Sequence, residues 1–331
     1  MVRRKVPDFD ITKIDPTDKE VYEMIGNGHT EGVFQLESSG MKSFMKELKP
    51  SNLEDLIAGI SLYRPGPMDF IPQYIEGKNN QQNVTYACPQ LEPILKPTYG
   101  CIVYQEQVMQ IVRDLAGYSW GRSDLVRRAM SKKKAYVMEQ ERKNFIYGNP
   151  EEGVKGCVNN GIDEKVAGKI YDDMIDFAKY AFNKSHAACY AVVSFQTAYL
   201  KTYYPVEFMA ALMTSVIDNT SKVAGYIYAC KQMNIGILPP DVNESQMEFT
   251  VENGKIRFAM AAIKSLGRPT IQAILKERGE NGSFISMQDF VTRMSHALNK
   301  RAIENFVKAG AFDTFGHTRK SMMIVSESML D

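Results

Sequence analysis

The chain has 331 residues, 44% hydrophobic and 24% charged, the balance of a soluble globular protein with room for two or three domains. A formal net charge of +1 excludes a polycation, so any affinity for nucleic acid has to come from local clustering. The five cysteines, Cys88, Cys101, Cys157, Cys189 and Cys230, make no CxxC pair, which argues against a zinc site or a disulfide framework and predicts reduced thiols in a cytoplasmic protein.

The N-terminal MVRRKVPDFD has no apolar core like a signal peptide's, and its abrupt basic start equally fits the cut end of a longer protein. Asp15-Pro16-Thr17-Asp18 is a helix start, with Pro near the first turn and acids at the positive end of the helix dipole. Val21, Met24 and Ile25 follow at helical spacing, and Gly26-Asn27-Gly28 ends the run. Val33-Phe34-Gln35-Leu36 reads as a short buried piece and 38–48 as a second helix. A helix over 51–62 is stopped by Arg64-Pro65-Gly66-Pro67, because proline excludes helical geometry from the residue before it. Residues 75–99, rich in Asn, Gln and Pro, predict loop. Val108, Ile111, Val112 and Leu115 form the stripe of an amphipathic helix over 105–116. Further helices are predicted over 123–144, 163–177, 185–204, 207–216 and 222–233; the one over 185–204 is halted by Pro205. Nowhere does the chain approach the roughly 18 apolar residues of a membrane span.

The character changes at Pro239-Pro240, where a domain boundary is expected. Asn253-Gly254 is the signature of a tight hairpin between two short strands. Short helices are then predicted over 263–267, 270–278, 287–293 and 300–309. The fold class is mainly α, with this hairpin and the short helices forming a smaller second part.

Two clusters carry the chemistry. Arg127, Arg128, Lys132, Lys133 and Lys134 put five cations in eight residues with no acid among them. Such neighbours repel on a helix unless an anion sits among them, and Arg grips phosphate bidentately. A solvated helix face, with Asp124 pairing Arg128, accounts for the same pattern. The second cluster, Asn183-Lys184-Ser185-His186, stands at the mouth of a long apolar helix. Ser185 or Asn183 can cap that helix, and its free N–H groups suit phosphate. Lys184 adds a full charge and His186 a donor near neutrality; the alternative is a capped core helix with a satisfied histidine. Ser194, Thr197 and Lys201 make a narrow polar stripe along the same helix. Arg64 is fixed on a rigid turn, and Gln105-Glu106-Gln107 opens another helix. Ala262 to Gly267, with Pro269 and the run 271–274, has the layout of a helix-hairpin-helix, which presents backbone N–H groups to DNA phosphate; Ser265 stands where the usual hairpin has its first Gly. A degenerate partner is expected over 298–312. Pro7-Asp8-Phe9-Asp10 has two carboxylates that could hold Mg²⁺, but no third accompanies them, and the segment reads as an exposed acidic turn.

The stretches GVFQLESSGM (32–41), LYRPGPM (62–68), YGCIVYQEQVMQI (99–111), LVRRAMSKKK (125–134), FNKSHAACYAVVSFQTAYLKTYYPVEFMAALM (182–213) and ILPPDVN (237–243) resemble, in order along the whole chain, the alpha subunit of bacterial DNA polymerase III, the C-family replicative polymerase. The resemblance implies polymerase fingers over 1–240, with a connector from the palm over 1–14, and a tandem helix-hairpin-helix region over 241–331. It implies that Arg127, Arg128, Lys184 and His186, with Arg64 and Asn183 nearby, face the triphosphate of an incoming dNTP. Lys132, Lys133 and Lys134, and Lys264, Ser265, Gly267 and Thr270, would approach primer–template DNA. In the family the palm supplies the metal-binding carboxylates and lies N-terminal to these motifs, so no catalytic or metal-binding residue is expected here. Mg²⁺ belongs to the full enzyme, and a sliding clamp would bind through other regions. The chain alone is then expected to extend no primer. Two rivals remain: a non-catalytic helix-hairpin-helix DNA-binding module, and a scaffold that binds another protein.

Overall fold

The computed structural model describes residues 1–65, 67–131, 135–178 and 182–326. By their internal contacts these form two units, one over Ile14–Ala198 and one combining Met1–Lys13 with Tyr199–Asp331.

The first unit is helical. In chain order it contains α1 (Lys19–Gly26), α2 (Ser39–Leu48), α3 (Leu53–Leu62), α4 (Ile71–Asn79), the single turn α5 (Glu92–Leu95), α6 (Gln105–Ala116), α7 (Trp120–Ser131), α8 (Ala135–Tyr147), α9 (Glu164–Ala178) and the start of α10 (Lys184–Tyr203). Asp18, Ser38 and Asn52 cap α1, α2 and α3 with side-chain oxygens on backbone N–H groups. The stripe of α6 buries Val108, Ile111, Val112 and Leu115, as its spacing predicts. They join Phe145, Tyr171, Met174 and Phe177 in one core.

Two sequence expectations change. The stretch 75–99 is not a loop: it carries the end of α4, α5 and several 3₁₀ turns. Its prolines, Pro89, Pro93 and Pro97, sit in first turns, where no N–H is needed, so they start short helices instead of preventing them. The span 123–144 is occupied by two helices, α7 and α8, on either side of residues 132–134.

α2, α3 and α4 meet at a buried ion pair. Asp55 is 1% exposed, and its carboxylate lies 2.9 Å from the Lys78 ammonium. Ser51 donates to the same oxygen through its N–H and hydroxyl. Lys78 also donates to the Leu48 and Lys49 carbonyls, at 2.9 and 2.7 Å, so it closes the C-terminus of α2. The next residue outside that helix, Lys49, takes a left-handed φ of 46°.

The second unit adds α11 (Pro205–Ser215), α12 (Thr220–Gln232), β1 (Ile237–Leu238), β2 (Thr250–Glu252), β3 (Lys255–Arg257), α13 (Arg268–Asn281), α14 (Met287–Met294), α15 (Lys300–Ala309) and α16 (Arg319–Ser326). The strands form a sheet in the order β1-β3-β2, with β1 parallel and β2 antiparallel to β3. Asn253 and Gly254 both have positive φ, 49° and 73°, the geometry that a two-residue hairpin demands. Because β1 pairs with β3, the change of character at 240 falls inside this sheet. One core gathers Met209, Met213, Tyr226 and Phe249 under the sheet, and another gathers Ile271, Phe290, Phe306 and Phe312. Only a 3₁₀ turn over Met260–Ala262 stands near the helix expected at 263–267, which is a turn leading into α13.

Cys88, Cys101, Cys157 and Cys230 are buried free thiols and Cys189 an exposed one. Burial pushes the Cys101 and Cys157 thiols up to about 12, which keeps them protonated and unreactive. No helix among the described residues is long and apolar enough to cross a membrane.

Replacing Lys78 by Met would leave Asp55 buried without its counter-charge. The expected cost is about 3–5 kcal/mol, and the double replacement Asp55→Asn/Lys78→Met should recover part of it. Urea unfolding midpoints of the three proteins check this; equal midpoints for wild type and Lys78→Met would refute the role given to the pair.

Candidate functional site

The predicted anion-facing residues of the first unit converge on the junction between α6 and α10. Tyr104, just before α6, bridges in parallel to Phe182, just before α10. The Gln105 N–H donates to the Phe182 carbonyl at 2.9 Å. Two helices thus begin side by side.

Their starts share one carboxylate. Glu106 accepts from the Lys184 N–H at 3.1 and 3.0 Å, and from the Asn183 side-chain amide at 2.9 Å. The Asn183 side-chain oxygen accepts from the His186 N–H at 2.9 Å, so Asn183 and not Ser185 provides the cap. The expectation of free N–H groups at this helix start is corrected, since Glu106 takes the place an external anion would take. The Lys184 ammonium pairs with Glu54 at 2.9 Å and lies 5.2 Å from the centroid of the Tyr104 ring.

Arg127 and Arg128 stand on α7 and share Asp124. One carboxylate oxygen takes Arg127 at 2.7 and 2.9 Å, and the other takes Arg128 at 2.7 Å. Hydrogen bonds from Arg127 hold the Asp124 carboxyl below its ordinary range, helped by the charges of both arginines. Arg127 also donates to the Gln105 side chain at 3.2 Å, which ties the arginine pair to the α6 start.

Beside this junction runs a groove of about 720 Å³. Its walls include Phe34, Tyr63, Arg64, His186 and Tyr190. The Arg64 guanidinium lies 3.7 Å from the centroid of Phe182. Phe182, His186 and Tyr190 succeed one another at helical spacing, with centroids 5.3 and 4.4 Å apart, and Phe34 stands 5.2 Å beyond. The result is a ladder of rings with a guanidinium at one end. The floor is held by α10: Ser194 donates to the Phe34 carbonyl at 2.8 Å, and the Phe34 N–H donates to Thr197 at 3.1 Å. Two members of the predicted polar stripe are therefore clamps; the third, Lys201, is buried in the second unit. Gly40 of α2 belongs to the same construction, because a Cβ there would fall on the Tyr63 hydroxyl.

Arg64, Arg127, Arg128, Asn183, Lys184 and His186 are thus brought into one region by α6, α7 and α10. Lys132, Lys133 and Lys134 lie outside the described residues. Glu54 was not singled out by sequence reasoning, and Glu106 was noted only as part of a helix start. Asp124 is legible as the i−3 and i−4 neighbour of its arginines, whereas Glu54 and Glu106 meet Lys184 only through tertiary packing.

In the second unit, Lys264, Ser265 and Gly267 are exposed on the turn before α13. Ser265 takes a φ of 62°, so it adopts the left-handed conformation for which a Gly would be usual. Gly267 caps α13 without a side-chain acceptor, leaving backbone N–H groups at that helix start. Thr270 donates to the Ala297 carbonyl at 3.2 Å, linking this turn to the segment before α15. There Asn299 caps α15, and Gly310 closes it at a φ of 86°. The predicted acidic turn is a local one: Asp10 accepts from the N–H and hydroxyl of Thr12. Among the described residues no three His, Cys, Asp or Glu side chains are grouped to hold a metal ion.

The profile of the bacterial DNA polymerase III alpha subunit finger domain matches residues 1–153, and that of the helix-hairpin-helix motif matches residues 234–322. DNA polymerase III subunit alpha of Thermus aquaticus is 47% identical over 315 residues, which is 93% of this chain and 25% of the relative. The Bacillus subtilis subunit is 44% identical over 316 residues (95% and 28%), and that of Pseudomonas aeruginosa 46% over 308 residues (90% and 26%).

The chain belongs to the bacterial DNA polymerase III alpha subunit family.

It spans about a quarter of the length of the relatives it matches. The finger-domain match contains Arg64, Arg127 and Arg128, and the helix-hairpin-helix match contains the turn with Ser265. In this chain Glu106 seats the start of α10. Glu106→Ala should cost about 1–2 kcal/mol by stranding the Lys184 N–H and the Asn183 amide. Amide hydrogen exchange at 184–187 should accelerate; unchanged protection there would show that Glu106 does not hold the helix start. Ser265→Gly should gain about 1 kcal/mol by relieving the left-handed backbone, and Ser265→Val should lose at least as much. Melting temperatures in that order are the check.

Proposed function

We propose that this chain is the nucleotide-facing and duplex-gripping part of a replicative DNA-directed DNA polymerase, a nucleotidyltransferase of the cytoplasm. The single observation that carries the reading is the α6–α10 junction, where Lys184, Asn183 and Arg127 are wired to the same pair of residues, Gln105 and Glu106. A second wall, the Arg64 guanidinium and the His186 ring, lines the groove beside it. Arg127, Arg128, Lys184 and His186, with Arg64 and Asn183, would receive the triphosphate of a dNTP. In phosphoryl-type transfer a protein contributes mainly by holding fixed charge where negative charge develops, and the arginines and Lys184 suit that task. The fingers are proposed to run to about residue 240. Beyond it, Lys264, Ser265, Gly267 and Thr270 would meet the backbone of primer–template DNA through main-chain N–H groups and one ammonium. Lys132, Lys133 and Lys134 are proposed to touch template or primer phosphates.

Among the described residues no three His, Cys, Asp or Glu side chains are grouped to hold a metal ion; the Mg²⁺ ions and the carboxylates that hold them, like the contacts to a sliding clamp, are proposed to belong to other parts of the polymerase. The purified chain should therefore incorporate no dNTP on a primed template, and template-dependent incorporation would contradict this. Arg128→Ala and Lys184→Ala should each weaken dNTP binding about tenfold and change duplex binding little, while Lys264→Ala should do the reverse and reduce the salt slope of DNA binding by about 1. The rival reading, a helix-hairpin-helix module with no nucleotide role, expects only the salt-dependent loss of DNA binding. Titration of each variant with dNTP and with duplex separates the two.

A further inference from the structure

Three cations at the α6–α10 junction, Arg127, Arg128 and Lys184, are already answered by acids of the same chain. Asp124 holds Arg127 and Arg128, Glu54 holds Lys184, and Glu106 holds the α10 start. A triphosphate entering this site meets three carboxylates in the places its own oxygens would take.

The three are not equivalent. Glu54 and Lys184 pair at the surface, 53% and 37% exposed, and so does Asp124 with Arg128, which is 61% exposed, whereas the Asp124 pair with Arg127 is half-buried and is the tighter of its two. Surface pairs contribute little and are screened by salt, so an incoming polyanion can exchange for them. Glu106 instead uses both oxygens on one backbone N–H and an amide, contacts that fix where the helix begins. An anion that displaced it would have to rebuild the start of α10.

We infer that Asp124 and Glu54 are exchangeable placeholders that set the affinity of the site for a triphosphate, while Glu106 is a fixed positioning residue. Resting on the reading above, this adds a role for three acids. In the ligand-free site Asp124 and Glu54 park the cations in extended, preorganised positions, which limits the rotamer ordering that binding requires. They also compete with the ligand, so weaker anions such as a single phosphate gain too little to displace them. Polyphosphate length is then read by the number of pairs it can replace.

The test is calorimetric titration of the chain with inorganic tripolyphosphate and with orthophosphate at low ionic strength. Asp124→Asn and Glu54→Gln should each tighten tripolyphosphate about two- to fivefold, the double variant by the product, with Asp124→Glu restoring wild-type affinity. Orthophosphate should gain proportionally more, so the preference for the longer anion falls. Glu106→Gln should weaken both. Melting temperatures identify any variant whose fold is lost. If Arg128→Ala and Lys184→Ala weaken tripolyphosphate but Asp124→Asn and Glu54→Gln leave it unchanged or weaker, the placeholder role is wrong and the triphosphate site stands. If neither cation variant weakens binding, or no protein including Asp124→Asn binds tripolyphosphate, the triphosphate reading itself fails.

Discussion

The arrangement of the first unit depends on one carboxylate seated between two helix starts. Glu106 lies in the first turn of α6 and accepts from the first N–H of α10. A carboxylate in that position is favoured twice, by the hydrogen bonds and by the positive ends of both helices. Because Gln105 is its neighbour and accepts from Arg127, the same turn ties Arg127 of α7 as well.

The turn is itself well anchored. Gln107, one residue further on, is buried and uses both ends of its amide. It accepts from the N–H groups of Val103 and Tyr104 and donates to the Ile94 carbonyl and the Thr98 hydroxyl. A fully satisfied buried amide of this kind specifies one backbone geometry, since any shift strands a polar group away from water. α5 and the 3₁₀ turn Lys96–Thr98 after it, which look like irregular Pro-rich sequence, supply the acceptors that make this possible.

The sequence made the helices, their approximate ends and the type I′-like hairpin at Asn253-Gly254 readable, because those features are written in local spacing and in turn residues. α6 was the plainest, with one clean apolar stripe. The region 75–99 was not, since its helices are single turns nucleated by proline and stabilised by packing. The cations of the site were visible as clusters of like charge. Their acids were only partly visible: Asp124 could be inferred from its spacing, but Glu54 is brought to Lys184 by the meeting of α3 and α10, and no local pattern announces that. Ser265 is the converse case, a residue whose chemistry argues against a hairpin turn but whose neighbours impose the turn's backbone regardless.

The clamp of Ser194 and Thr197 on Phe34 has a consequence for how this groove can vary. Both hydroxyls hold main-chain atoms, the carbonyl and the N–H of the same residue. The contour of the floor is therefore independent of which side chain position 34 carries. Phe34 projects from a fixed mount at the end of the ring ladder, partly exposed. A chain built this way can exchange that ring for another shape, and so retune what lies against the groove, without rebuilding the helix beneath it.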